Sequence, residues 1–342
     1  MKTTKKIYVK VSIIFLLGGI LLFSSCEKEE NQKIEANRKT LFMYLPWSSN
    51  LTNYFYNNIS DLEKCITKIG LNNEKVIVFI STGSTEAMMF EIVSSHGRCK
   101  REILKKYKSP PFTTIDGITA ILNDVKAFAP ASVYTMIIGC HGMGWLPVYE
   151  MKVRSAPHMK MHWEYQGVPL TRYFGGLTAE YQTDIKSLAS GIANAGMKME
   201  YILFDDCYMS SIEVAYELKD VTKYLIGSTS EMMAYGMPYA AIGEYLLGNP
   251  DYQSGCEEFY NFYSTYEIMP CGTLAVTDCS ELENMAAIIK SINSKYSFDK
   301  SLRGTIQRLD GYTPVIFYDF ADYITSLCND PVSYTHLTLP TI

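Results

Sequence analysis

Short continuous apolar runs alternate with helical stripes through the middle of the chain. Thr40–Leu45 (TLFMYL), Lys75–Ser81 (KVIVFIS), Ser132–Gly139 (SVYTMIIG), Met199–Asp205 (MEYILFD) and Lys223–Thr229 (KYLIGST) are rich in strand-forming residues. Their apolarity is continuous and does not alternate, as a strand covered on both faces requires, so they predict a parallel sheet. Between them Ile115, Ile118, Leu122 and Val125 fall on one helical stripe, and Ile185, Leu188, Ala189 and Ile192 on another. Gly196 stands where a left-handed residue would end the second helix. Strand and helix in alternation predict an α/β fold: a three-layer α/β/α sandwich with a mostly parallel central sheet and right-handed crossovers.

The pattern loosens after about residue 250. Thr273–Asp278 and Pro314–Phe320 read as further strands and Glu281–Ser294 as a helix, so residues 251–331 are expected to form a smaller C-terminal subdomain behind a main domain at 40–250. Val332–Ile342 has no relation to the acidic, aromatic sequence before it and reads as a sequencing artefact, with C-terminal structure missing beyond Pro331. No internal repeat is visible.

The first residues carry an address. Lys2, Lys5, Lys6 and Lys10 make a basic head before the thirteen-residue apolar run Val11–Phe23, which is too short to span a bilayer and suits a signal peptide. The run ends in LFSSC, which resembles a bacterial lipobox, so residues 1–25 are expected to be removed and Cys26 lipidated. The acidic EKEE after Cys26 resembles the tether of surface-exported lipoproteins, and residues 26–39 are charged and apolar-poor, as a flexible stalk is. The expected place is therefore the bacterial envelope, held by lipid at the outer membrane or cell surface.

The 342 residues are 47% hydrophobic and 20% charged, an ordinary globular balance that supports a sizeable core. A formal charge of −5 leaves no basic footprint and argues against nucleic acid as a partner. Eight cysteines besides Cys26 show neither a disulfide framework nor a C-x-x-C zinc pattern, and read as buried free thiols.

Two of the strand ends break into reactive side chains. MIIGCHGMGW (Met136–Trp145) delivers His141 two residues past Gly139, and LFDDCYMSSIE (Leu203–Glu213) delivers Cys207 two residues past Asp205. In open α/β sheets ligands bind just outside the carboxyl ends of the strands, so parallel neighbours would carry both side chains to one edge. A thiolate is a strong nucleophile and an imidazole shuttles protons, which is the chemistry of a cysteine hydrolase. Ser210 and Glu213 read as a capping box, placing a helix N-terminus behind Cys207 to lower its pKa. The glycines around His141 allow a sharp turn, so that the backbone N–H of Gly142, together with that of Cys207, faces a developing oxyanion. Cys140 should point opposite to His141, into the packing.

HGMGW after one strand and DDCYMSS after another resemble the clostripain family of cysteine peptidases, relatives of the caspases, legumains and gingipains. The resemblance covers about residues 40–250 and implies a caspase-like fold, with His141 and Cys207 as a catalytic dyad acting on protein or peptide substrates. It also implies that Asp205 helps line a pocket for Arg or Lys before the scissile bond, where a partly desolvated carboxylate pairs strongly with a cation. The family commonly carries a P-G-x-G-W-x-Y loop; this chain reads EMMAYGMPY (Glu231–Tyr239), where Glu231 is the available carboxylate. The chemistry requires no cofactor, although the resemblance admits Ca2+.

Pro147–Phe174 reads as an insertion between the reactive residues; it contains Lys152, Arg154, Lys160 and Arg172, and the resemblance implies self-cleavage in this interval. His158 and His162 have helical metal spacing but lack a third ligand, so no metal site is expected. The alternative to a peptidase is a surface binding lipoprotein, an adhesin or a glycan or protein binder, that keeps the fold without turnover.

Overall fold

All five continuous apolar runs are strands of a single sheet. A computed structural model describes residues 37–146, 148, 175–267, 270–312 and 315–327. The strands are β1 (Asn37–Leu45), β2 (Glu74–Gly83), β3 (Glu86–Ser95), β4 (Arg98–Lys108), β5 (Ala131–Ile138), β6 (Met199–Phe204), β7 (Thr222–Gly227) and β8 (Ala275–Asp278). Their order across the sheet is β4-β3-β2-β1-β5-β6-β7-β8. β2, β1, β5, β6 and β7 are parallel neighbours, while β3, β4 and β8 run antiparallel to theirs.

Helices cover both faces, which is why the central strands are apolar throughout. On one face lie α1 (Thr52–Ile69), α5 (Tyr239–Leu246) and α6 (Tyr252–Ser264), whose Phe55, Ile59, Leu62, Ile242 and Phe259 pack on Leu41, Met43, Ile137 and Leu203. On the other lie α2 (Ile115–Phe128), α3 (Ile185–Asn194), α4 (Ile212–Leu218) and the start of α7 (Leu282–Lys295). Their Ile118, Leu122, Leu188, Val214 and Leu282 meet Phe42, Met136, Ile138 and Phe204. Each such side chain contributes about 1.5–3 kcal/mol through burial. Thr114 caps α2 by accepting from the Gly117 N–H, and Gly196, at φ 64°, follows α3 as expected.

The sheet gains an unforeseen hairpin, and two expectations change. β3 and β4 form a hairpin beyond β2 whose alternating and cation-rich faces do not show a continuous apolar run. Pro314–Phe320 is no strand over its described residues: Tyr318 makes one isolated bridge, to Arg308. A boundary at residues 250/251 does not divide the sheet, because β8 pairs with β7 and α6 packs on the main core. Finally, Ser211 and not Ser210 caps α4, accepting from the Val214 N–H at 3.3 Å, so that helix begins five residues beyond Cys207. A last helix, α8 (Phe320–Leu327), joins α7 in a small cluster around Ile292, Ile324 and Leu327.

Candidate active site

β5 and β6 end side by side, with Ile138 opposite Phe204 and the Asp205 N–H donating to the Ile138 carbonyl at 2.8 Å. The loops that leave them are joined by Asp206. Its buried carboxylate accepts from the Cys140 N–H at 2.5 Å and from the Cys140 thiol at 3.5 Å. Cys140 is therefore structural, as expected, and it packs in the sheet face opposite to that of Cys207. Asp206 thus serves local hydrogen bonding between the two loops.

The loop after His141 then lies directly on Cys207. A Cβ at Gly142 would stand 2.2 Å from the Cys207 carbonyl oxygen and 2.9 Å from its nitrogen, so only glycine permits this approach. The two sequence motifs thus come to one sheet edge, backbone against backbone.

His141 is 1% exposed. Its main-chain N–H donates to the Gly175 carbonyl at 3.2 Å, and its Nε2 lies 2.8 Å from Asn50 Oδ1. An amide oxygen only accepts, so Nε2 carries the proton and Nδ1 is the basic nitrogen. Asn50, on the loop leaving β1, escaped the sequence reading. Its only signal was a polar Ser-Ser-Asn run at the same edge where the other strands end.

Cys207 is fully buried. The Met232 N–H donates to its Sγ at 3.1 Å, and the thiol reaches back to the Met232 carbonyl at 3.7 Å. Met232 belongs to the loop that follows β7, and the same segment is tied on twice more: the Tyr208 N–H donates to Ser230 O at 2.9 Å and the Ser210 N–H to Ser228 O at 3.0 Å. With α4 starting at Ile212, these main-chain contacts, rather than an adjacent helix N-terminus, surround the sulfur.

Asp205 is 1% exposed and accepts from the Met237 N–H at 2.8 Å and the Tyr239 hydroxyl at 3.1 Å. Here the carboxylate anchors the loop Glu231–Tyr239 and satisfies its main chain. Glu231 sits half-buried beside Tyr208, Tyr312 and Cys271; burial pushes the Cys271 thiol up, and the Glu231 charge adds to it.

A strap from the C-terminal region covers both loops. The Asp310 carboxylate gathers it by accepting from the N–H groups of Tyr312 at 2.7 Å, Ile316 at 2.8 Å and Phe317. The Phe317 ring stacks on Tyr208 at 4.4 Å between centroids with 5° between planes. Tyr208 holds φ 59°, a left-handed conformation uncommon for a tyrosine. On the His141 side, the Tyr312 hydroxyl donates to Met143 Sδ at 3.3 Å. Gly144, at φ 58°, gives Phe317 room, since a Cβ there would come within 2.7 Å of the ring. The sequence does not foretell the strap: it predicts a strand at Pro314–Phe320, only part of the segment.

Cys65, Cys99, Cys140, Cys207, Cys256, Cys271 and Cys279 are free thiols. Among the described residues no three His, Cys, Asp or Glu side chains gather as a metal site, and no helix is long and apolar enough to cross a membrane. Cys26, the expected signal segment, Lys152, Arg154, Lys160, Arg172, His158, His162, Cys328 and Val332–Ile342 lie outside the described residues.

Comparisons agree with the geometry. The profile of the clostripain family matches residues 43–337. The structure of a secreted C11 cysteine protease from Bacteroides thetaiotaomicron, called iotapain, is 59% identical, with a TM-score of 0.81 over 88% of this chain and 83% of that one. An inactive zymogen C11 protease from Parabacteroides distasonis shares the fold at 24% identity, with a TM-score of 0.70 over 87% of this chain and 79% of that one. No curated protein matches the chain.

Proposed function

This chain belongs to the clostripain family and is a clostripain-like cysteine peptidase; we propose that Cys207 is its nucleophile and His141 its general base and acid. The observation that carries the assignment is the close approach of Gly142, next to His141, to the backbone of Cys207 at the ends of adjacent parallel strands. The Cys207 thiolate attacks the peptide carbonyl carbon, and the N–H groups of Gly142 and Cys207 receive the oxyanion. The C–N bond breaks as the imidazolium gives its proton to the leaving amine, leaving a thioester. Water, deprotonated by His141, then displaces the thiol and releases the acid. The hydrogen bond to Asn50 keeps the proton on Nε2, so Nδ1 does this work.

The reading extends to specificity. A basic side chain before the scissile bond would enter where the loop Glu231–Tyr239 now stands, with Asp205 as its counter-ion once Met237 and Tyr239 release it and Glu231 as a second carboxylate. The reaction needs no cofactor; calcium would act on loop order alone, and turnover unchanged after dialysis against a chelator would remove it from the account. Because iotapain is described as secreted, we carry export over to this chain, with Cys26 as the lipid attachment point.

The test is turnover of fluorogenic Arg, Lys and neutral peptides by the wild type, Cys207→Ala and His141→Ala, with and without a thiol alkylator. Cleavage after Arg and Lys that both substitutions and the alkylator abolish is the expected result. Alkylator-insensitive cleavage, or none on any peptide, would overturn the dyad; efficient cleavage after neutral residues would overturn the basic preference alone.

A further inference from the structure

A cavity of about 730 Å3 lies between the strap and the ends of β5 and β6. Trp145, Tyr208, Ser210, Phe298, Phe317 and Phe320 line it. Its size is that of a pocket that takes a ligand, and its wall is mainly aromatic and aliphatic, with Glu213, Arg303 and Asp319 also on it. Both reactive loops contribute to it: Trp145 follows His141 by four residues and Tyr208 follows Cys207 directly. Neither Asp205 nor any residue of Glu231–Tyr239 is among its walls, so it is separate from the place where a basic side chain would enter.

The walls themselves point to an occupant. Trp145 is 44% exposed, a large apolar surface left open to solvent. A mainly aromatic and aliphatic pocket with an open indole at its wall suits a bulky apolar side chain of a peptide.

The chemistry indicates which part of the peptide this is. The imidazole delivers its proton to the departing amine, so the substrate segment after the scissile bond runs along the loop that carries His141. That loop brings Trp145 to the cavity. We propose that the cavity is the subsite for a bulky apolar side chain, aromatic above all, within the first three residues after the scissile bond. The proposal rests on the assignment of Cys207 and His141 as the catalytic pair.

Internally quenched peptides test it. All share one sequence before the bond, chosen as the best-cut fluorogenic amide, and carry Phe, Leu, Gly or Asp in turn at the first, second and third positions after it. The fluorogenic amide itself, which has no residue there, is the reference. At one position the Phe peptide should exceed the Gly peptide in kcat/KM by about tenfold or more. Trp145→Ala should bring that ratio to about two or less, and Trp145→Phe should retain most of it. A flat series beside a well-cut reference overturns the subsite and leaves the dyad standing, as does a preference that Trp145→Ala does not move. Failure of the reference and every peptide alike removes the dyad, and the subsite with it.

Discussion

Met232 engages the sulfur of Cys207 with both polar groups of its main chain, the N–H donating to Sγ at 3.1 Å and the carbonyl lying 3.7 Å from it. A thiol that is fully buried and held in this way meets neither peptide nor reagent until the loop after β7 moves. In the intact chain Cys207 should therefore react with iodoacetamide at least about tenfold more slowly than the half-buried Cys99. Peptide mass spectrometry over a time course measures both. Equal rates would mean that Met232 does not close the site.

Gly142→Ala places a methyl group 2.2 Å from the Cys207 carbonyl oxygen, a backbone atom that cannot turn aside. The two loops must part. The expected cost is about 2 kcal/mol or more in stability, read from urea melts. Turnover should fall by about a hundredfold, because a displacement of an ångström at the reacting atoms is enough. Wild-type activity in this variant would show that the loops do not need to touch.

Phe317→Ala removes the ring stacked on Tyr208 and opens the strap. Truncating a buried phenylalanine costs about 3–5 kcal/mol, so the melting temperature should drop by several degrees. kcat should fall more than KM rises, since Tyr208 fixes the residue before it. Phe317→Tyr, which keeps the stacked ring, should restore kcat. A loss of stability with kcat untouched would confine the strap to a packing role.

Lys39 supplies a pH signature. It is 3% exposed, with its ammonium donating to Leu246 O at 2.5 Å and Gly248 O at 3.1 Å, and burial lowers it to about 8. The unfolded chain holds this proton to about pH 10.4 and the folded chain releases it near 8. Between those values the unfolded state binds more protons, so this residue's contribution to stability rises with pH. Its penalty, on the order of 3 kcal/mol, is complete below pH 8 and absent above about 10.5. Lys39→Met should flatten the stability curve between pH 8 and 9.5 relative to wild type, as urea melts at three pH values will show. Parallel curves would assign Lys39 an ordinary pKa.

The central strands were legible because burial on both faces leaves no polar position in Leu41–Leu45 or Val76–Ile80. β4 was not legible, because a strand at the sheet's margin answers to solvent and reads RCKREILKKYK. The tandem serines at 210 and 211 satisfy the same capping rule, and only the main-chain path decides between them. His141 and Cys207 stood out through motif and strand end. Asn50 and Met232 did not, since each reaches its partner across 91 and 25 residues, where local spacing says nothing. Asp205 was read for its charge, whereas its hydrogen bonds to Met237 and Tyr239 depend on a loop whose path the sequence does not disclose.

The cations along β4 have a consequence for how copies of the molecule meet. Arg98, Lys100, Arg101, Lys105, Lys106 and Lys108 lie on the outermost strand, whose free hydrogen-bonding edge would otherwise invite a second copy to add its own strand there. Joining two such edges would bring cationic strands together at strand spacing, which disfavours strand-to-strand association of copies.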